Sequence, residues 1–229
     1  MKVIRYTFIT VGLLVFIASC GMLKNGHSDA LYNKHNREKV KIKKGLFSAP
    51  RALFGSFTTT AVDKGVTKRV IPFKTRQEPF HFSLNEQEVA KVSVQAAYTD
   101  KESLADKDLP ASFSSAAISN IFYAWISGST ANNLDNWELI VKNPSYEELS
   151  SNAEIGILRS SNAEISVHAS NRPGGSGGYD ALCFEFQLKG IAVAAVQTKG
   201  KRQYVWMQQG LNEEVKYAIA GAAAALLLR

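Results

Sequence analysis

A glycine-rich string in the second half of the chain has the spacing of a catalytic serine motif. Gly174-Gly175-Ser176-Gly177-Gly178 matches G-x-S-x-G, in which the serine is a nucleophile exposed on a sharp strand-to-helix turn, with acid and histidine partners later in the chain. Here a strand pattern follows the string, and no histidine comes after His168. The string therefore predicts a flexible hairpin loop, and a hydrolase that uses Ser176 or Cys183 with His168 is kept as the alternative.

The remaining reactive side chains show no pattern of a catalytic or metal site. No two of the four histidines are two or four positions apart, as the ligands of a metal site often are. The alternation of apolar and polar residues puts His81 and His168 on the polar faces of strands. A lone Cys183 predicts a half-buried thiol without a disulfide. There is no P-loop, GxGxxG or Cys/His cluster. We therefore assign no catalytic, cofactor-binding or metal-binding residue.

The N-terminus has the layout of a secretory signal. Lys2 and Arg5 precede an apolar run from Phe8 to Ile17, so residues 1–19 are predicted to be a signal peptide. The following Ile17-Ala18-Ser19-Cys20 resembles the lipobox of bacterial lipoproteins, although leucine is the more common residue at the position of Ile17. The resemblance implies that Cys20 carries a diacyl lipid and becomes the mature N-terminus. An ordinary signal peptide or an uncleaved anchor is the alternative.

The residue after the cysteine gives a destination within the cell envelope. Gly21 stands where enterobacterial lipoproteins kept in the inner membrane tend to carry aspartate. The resemblance therefore implies an outer-membrane protein that faces the periplasm, held by its lipid and otherwise soluble.

The net charge of +7 is concentrated near the N-terminus. We predict a basic, flexible tether over residues 20–51, and residues 52–229 keep 17 basic and 18 acidic residues. Beside a lipid anchor, such a tract can bind anionic headgroups, and each cation then contributes about 1 kcal/mol of binding free energy. The alternative is that the charges only keep the segment solvated and have no particular partner. Because the excess charge lies outside the predicted domain, we expect a membrane partner and no nucleic acid. The basic residues of the tether are Lys24, Lys34, Arg37, Lys39, Lys41, Lys43, Lys44 and Arg51.

Residues 52–229 are predicted to form one β-rich domain. Alternation of apolar and polar residues indicates strands at 80–84, 90–98 and 137–141, and a three-strand meander between 182 and 207. The segments 54–62 and 66–73 are weaker strand candidates around a turn at Asp63-Lys64-Gly65. An S-S-N-A-E-I repeat, ten residues apart, predicts two successive strands. Residues 118–126 favour a buried strand, with a helix as the alternative.

The last nineteen residues, 211–229, predict a helix that is apolar on all sides. Asn212 is its expected N-cap, Glu213 and Glu214 suit its first turn, and the twelve residues 217–228 include six alanines and no charge. A helix without a polar stripe must be buried. Twelve residues span about 18 Å, too little for the ~30 Å core of a bilayer, so burial in protein is favoured over insertion in lipid.

The order of short strands, a closing meander and an apolar terminal helix resembles the tubby-like group, which includes scramblase and LURP-one relatives. The resemblance implies a mainly β (α+β) fold, in which an antiparallel barrel or closed sheet surrounds the buried C-terminal helix. It also implies lipid binding or a scaffold role more than catalysis. We therefore expect a membrane-anchored envelope lipoprotein with a non-enzymatic binding or structural module.

Overall fold

The computed structural model describes residues 30–45, 48–65, 71, 73–105, 107–114, 120–128, 134–171 and 181–229. These residues form fourteen β-strands, two α-helices and two short 3₁₀ turns. The strands are β1 Arg37–Lys39, β2 Lys41–Lys43, β3 Arg51–Phe54, β4 Phe57–Thr59, β5 Asp63–Lys64, β6 Phe80–Glu86, β7 Val89–Thr99, β8 Ile121–Gly128, β9 Trp137–Lys142, β10 Glu154–Arg159, β11 Glu164–Ser170, β12 Cys183–Leu188, β13 Ile191–Gln197 and β14 Tyr204–Met207. The helices are α1 Tyr146–Ser151 and α2 Glu213–Leu228, and the 3₁₀ turns are Glu102–Leu104 and Ala111–Phe113.

All fourteen strands belong to one antiparallel sheet that is nearly closed into a barrel. Neighbours follow the order β1-β14-β13-β12-β11-β10-β9-β8-β7-β6-β4-β3-β2, with β5 also paired to β6. Most neighbours are consecutive in the chain, as expected for a meander of hairpins. The predicted mainly β fold with a closed sheet is confirmed.

Helix α2 occupies the interior of the barrel, as its apolar composition predicts. Every residue from Tyr217 to Leu227 is buried. Asn212 is the N-cap, and its side chain accepts a hydrogen bond from the backbone N–H of Glu214. Packing is close at Gly221, where a Cβ would lie 3.0 Å from Ile126 Cγ2. Small residues therefore let the sheet approach the helix from several sides.

The predicted three-strand meander near the C-terminus is confirmed. Strands β12, β13 and β14 pair in sequence as the closing meander, and the turn between the first two has positive φ at Lys189 (52°) and Gly190 (77°). This pair of φ values suits a two-residue hairpin turn that follows the sheet's twist. The S-S-N-A-E-I repeat leads into β10 and β11, and residues 121–128 form a strand.

Part of the predicted tether belongs to the barrel, which corrects the boundary at residue 51. Strand β1 pairs with β14, and β2 pairs with β3 at the other end of the sheet order. Only Val40 separates the two strands, and its N–H donates to the Gln203 carbonyl at 3.0 Å. One segment, Arg37–Lys43, thus contacts both edges of the sheet, and we call it the seam segment. The folded unit begins by residue 30.

Smaller features also differ from what the sequence predicts. Two short strands, β3 and β4, cover residues 51–59 where one strand was expected at 54–62. Asp63 and Lys64, expected in a turn, form the short strand β5 against β6. Helix α1 was not predicted, although Ser145 and Glu148 form a complete capping box at its start. Within the described ranges, no helix combines the length and the apolar character that crossing a bilayer requires.

Candidate binding surface on the barrel seam

The predicted lipid-attachment residue, Cys20, and the serine candidate, Ser176, lie outside the described residues, as does the whole 174–178 string. Cys183 and His168 are described, on the neighbouring strands β12 and β11. Their strands put the two residues on the outer side of the sheet, away from α2. The geometry of the hydrolase alternative can therefore be judged only from these two side chains.

Cys183 is buried in a small cluster outside the barrel wall, beneath residues 31 and 32. Burial raises the pKa of its thiol, and the charge of Glu185 raises it further. Tyr32 covers the same cluster and donates a hydrogen bond from its hydroxyl to Glu185 Oε2 at 2.6 Å. A nucleophilic thiol must be accessible and have a lowered pKa. Cys183 has neither property, so the geometry does not support it as a nucleophile.

His168 forms hydrogen bonds that do not involve the thiol. Its Nδ1 lies 2.9 Å from the Asn152 carbonyl oxygen, and its Nε2 lies 3.2 Å from Ser166 Oγ. The other strand histidine, His81, has Nε2 3.8 Å from Asp63 Oδ2. Both histidines are half-buried. In the part of the chain that the structure describes, no group of three His, Cys, Asp or Glu side chains lies close enough to hold a metal ion.

The seam segment presents a row of cations on the outside of the barrel. Arg37, Lys39, Lys41 and Lys43 are exposed, whereas Val40 is buried and Ile42 packs partly buried against the core around α2. Side chains alternate between the two faces of a strand, so the four cations share the outer face at intervals of about 6.6 Å. Arg51 of β3 lies opposite Lys43 and adds a fifth. We call Arg37, Lys39, Lys41, Lys43 and Arg51 the seam face.

Aromatic and aliphatic side chains border the seam face on both flanking strands. Arg37 lies over the ring of Tyr204, 5.0 Å from its centroid, and Tyr204 is the cross-strand partner of Lys39. On the other side, Leu53 is opposite Lys41 and half-buried. A surface of cations interleaved with Tyr and Leu suits the boundary between water and lipid headgroups.

Carboxylates are missing from this surface in the described structure. Strands β1, β2, β3 and β14 contain one acidic residue, Glu38, which alternates to the other side of the strand from the seam cations. Lys43 and Arg51 face each other directly, and like charges in that arrangement destabilise a sheet. The seam face therefore carries positive charge that no described side chain neutralises.

At several other places on the barrel, carboxylates and cations are paired. Glu138 accepts hydrogen bonds from Lys107 and from the Tyr123 hydroxyl, and Arg159 Nε lies 3.6 Å from its Oε2. At the end of the barrel where α2 begins, Glu86 accepts from Lys216 Nζ at 2.7 Å and from the Tyr217 hydroxyl at 2.8 Å. The seam face differs from these two places because five cations without a described carboxylate partner lie next to one another.

Comparison of the chain with protein-family models, with curated proteins and with solved structures gives no match. The candidate surface consequently rests on the residues themselves.

The sequence predicts that the seam cations form a basic tract, but it does not show that they form a surface. The string Arg37-Glu38-Lys39-Val40-Lys41-Ile42-Lys43 contains the signal, since Val40 and Ile42 alternate with three lysines as in a half-buried strand. Its partners could not be read from the sequence, because β14 lies more than 160 positions away in the chain.

Proposed function

We propose that the protein is a lipid-anchored lipoprotein of the bacterial cell envelope, on the periplasmic side of the outer membrane, whose barrel is a non-enzymatic binding or structural module. In this proposal the barrel rests with its seam face against anionic lipid headgroups. The observation that carries the proposal is the row of four outward cations on one seam segment, with Arg51 beside them and no carboxylate on that face.

The size of the electrostatic attraction is sufficient for binding. Each cation near an anionic surface contributes about 1 kcal/mol, so two or three engaged seam cations give roughly 30- to 150-fold stronger partition than the same barrel without them. The attraction is screened by salt over about 10 Å at 0.1 M ionic strength. Binding should therefore weaken steeply as salt is added.

The distance from the lipid to the barrel supports the same orientation. Between Cys20 and the first described residue, Ala30, the chain can span at most about 35 Å when fully extended. A lipid on Cys20 would hold the barrel within that distance of the bilayer. The seam segment begins only seven positions after Ala30, so the anchor and the cations would engage one membrane together. Stable anchoring commonly combines a lipid with a basic patch in this way.

The anchor is tested by labelled palmitate incorporation in a bacterial host. Wild-type protein is expected to incorporate the label, and Cys20→Ala is expected to lose it completely. Cys183→Ala is the matched control and should label like wild type, because its thiol is buried. Label that survives in Cys20→Ala would exclude Cys20 as the attachment site.

The orientation on the membrane is tested with vesicles, in the Cys20→Ala background to remove the lipid. Lys39→Gln/Lys41→Gln should partition about 30-fold more weakly than its parent into phosphatidylglycerol-containing vesicles, with little difference on pure phosphatidylcholine. The control, Lys74→Gln/Lys189→Gln, removes the same charge from exposed positions elsewhere. Equal losses for the two double variants would show that net charge, rather than the seam face, governs binding.

A further inference from the structure

The end of the barrel where α2 terminates contains an arginine whose charge is not paired. Arg229 follows the last helical residue, Leu228, and its guanidinium lies over two aromatic rings of the barrel. Its Cζ is 4.7 Å from the ring centroid of Phe184 and 5.6 Å from that of Phe122. The rings hold the guanidinium at the opening, which we call the Arg229 mouth.

Among the described residues, the Arg229 guanidinium lacks both an ion-pair partner and a full set of hydrogen-bond partners in this position. Arg229 Nη1 is buried and has no hydrogen-bond partner. No described carboxylate forms an ion pair with Arg229. Burial lowers the pKa of Arg229 from its usual value. Buried charges are normally paired, so an unpaired one is a reason to look for a ligand.

Two open clefts meet at this residue. One, of about 460 Å³, is bordered by Lys199, Thr198 and Asn143 as well as by Arg229. The other, of about 440 Å³, is bordered by Lys44 and Gln203 as well as by Arg229. Among the described residues that line the two clefts, none is an aspartate or a glutamate. Each cleft of the Arg229 mouth thus combines Arg229 and one lysine with neutral hydrogen-bonding side chains.

We propose that the Arg229 mouth binds an oxyanion of the phosphate class. A guanidinium offers a planar fork of N–H donors that matches phosphate oxygens, and lysine ammonium groups add charge without fixed geometry. Arg229 with the lysine of either cleft, Lys199 or Lys44, suits a group that carries up to two negative charges. The site does not depend on the seam face, and it would exist in a protein without a lipid anchor.

The interior of the barrel limits the ligand to a small group at the surface. Helix α2 fills the barrel, and Leu226 and Leu227 are buried directly beneath the clefts. An acyl chain has no room to enter. The phosphate is therefore either a free anion or the headgroup of a phospholipid whose chains stay in the bilayer.

The first experiment measures binding of inorganic phosphate to the full chain in the Cys20→Ala background. Isothermal titration at constant ionic strength in a phosphate-free buffer is expected to give saturable binding. Arg229→Gln should weaken it at least tenfold. Lys189→Gln is the control, because it removes one positive charge from the exposed turn at the opposite end of the barrel and should bind like its parent.

A second variant guards against an effect of Arg229→Gln on folding. Lys199→Gln leaves the packing of Arg229 on Phe122 and Phe184 intact and should weaken phosphate binding several-fold. The proposal is overturned if the parent shows no saturable binding. It is also overturned if both Arg229→Gln and Lys199→Gln, each with a parental circular dichroism spectrum and unfolding midpoint, bind as the parent does.

A vesicle measurement then separates the two sources of phosphate. In the Lys39→Gln/Lys41→Gln background, partition into phosphatidylglycerol vesicles is compared with and without Arg229→Gln. If Arg229→Gln lowers partition by at least a further fivefold, and if inorganic phosphate competes with the vesicles for binding, the ligand of the Arg229 mouth is a phospholipid headgroup. Unchanged partition with intact binding of inorganic phosphate assigns a free anion. Failure of the membrane proposal would leave the titration result unaffected, so the two proposals can fail separately.

Discussion

Two outer regions of the barrel handle charge in opposite ways. Around Glu138, on β9, a carboxylate is enclosed by Lys107, Arg159 and the hydroxyl of Tyr123. On the seam face, which lies across the barrel in the strand order, five cations face solvent without a carboxylate among them. The first region uses charge within the fold, and the second leaves charge available.

This difference distinguishes charges that stabilise the fold from charges that are free to bind a partner. Groups that are buried and mutually paired are costly to separate, whereas exposed charges contribute little to folding. A row of exposed like charges has no evident structural use, and Lys43 opposite Arg51 even opposes strand pairing. The contrast therefore favours an external anionic partner for the seam face.

The largest effect on the free energy of unfolding is expected in the region around Glu138, where the charges are paired. Glu138→Gln leaves Lys107 and Arg159 without their carboxylate in a half-buried setting, and we expect a loss of about 3 kcal/mol in the free energy of unfolding. Urea denaturation measures it. Lys39→Gln/Lys41→Gln, the seam counterpart, should change the unfolding free energy by less than about 0.5 kcal/mol. Similar losses in both variants would remove the distinction between the two regions.

An intermediate effect is expected at Glu86, where α2 enters the barrel. Burial raises the pKa of Glu86, but hydrogen bonds from Lys216, Tyr217 and Ser56 outweigh burial, and the net pKa is lowered from 4.5. A lowered folded-state pKa gives stability that is fully present above the unfolded value and is lost as pH falls through the folded value.

The stability difference between wild type and Glu86→Gln should thus be about 1 to 2 kcal/mol at pH 7. It should stay constant down to about pH 5 and shrink below pH 4.5. Denaturant unfolding across pH 3 to 8 measures it. A difference that grows on acidification would contradict the pairing described for Glu86.

A small change in stability of the opposite sign is expected at the seam itself. Lys43→Glu places a carboxylate directly across from Arg51, so it should stabilise the sheet by about 0.2 to 1 kcal/mol. The same substitution should weaken partition into anionic vesicles at least tenfold. Gain of stability with loss of binding would support a functional use of the seam cations. Unchanged binding would show that Lys43 is not part of the surface that contacts the membrane.

Much of the fold could be predicted because its strongest signals are local. The apolar run 217–228 can be stable only when buried, and the alternation in 182–207 fixes both the strands and their inner face. Helix α1 has an equally local signal, the capping box of Ser145 and Glu148, but six residues are too few for a clear hydrophobic period.

The candidate surfaces depend on contacts between distant parts of the chain. Arg37 and Lys39 became part of a surface only through pairing with Trp206 and Tyr204. Charge density alone indicated a flexible tether, whether bound to headgroups or only solvated, and the inward alternation of Val40 and Ile42 was overlooked. The position of Arg229 over Phe122 and Phe184 likewise depends on the closure of the barrel.

The orientation of the barrel on a membrane is the central claim, and fluorescence quenching tests it directly. In the Cys20→Ala background, a dye is attached through Leu53→Cys, opposite Lys41, or through Ser161→Cys, in the exposed turn between β10 and β11. Cys183 is buried and should stay unlabelled. On phosphatidylglycerol vesicles with a headgroup quencher, we predict strong quenching at residue 53 and little at residue 161. Equal quenching, or stronger quenching at residue 161, would contradict the account.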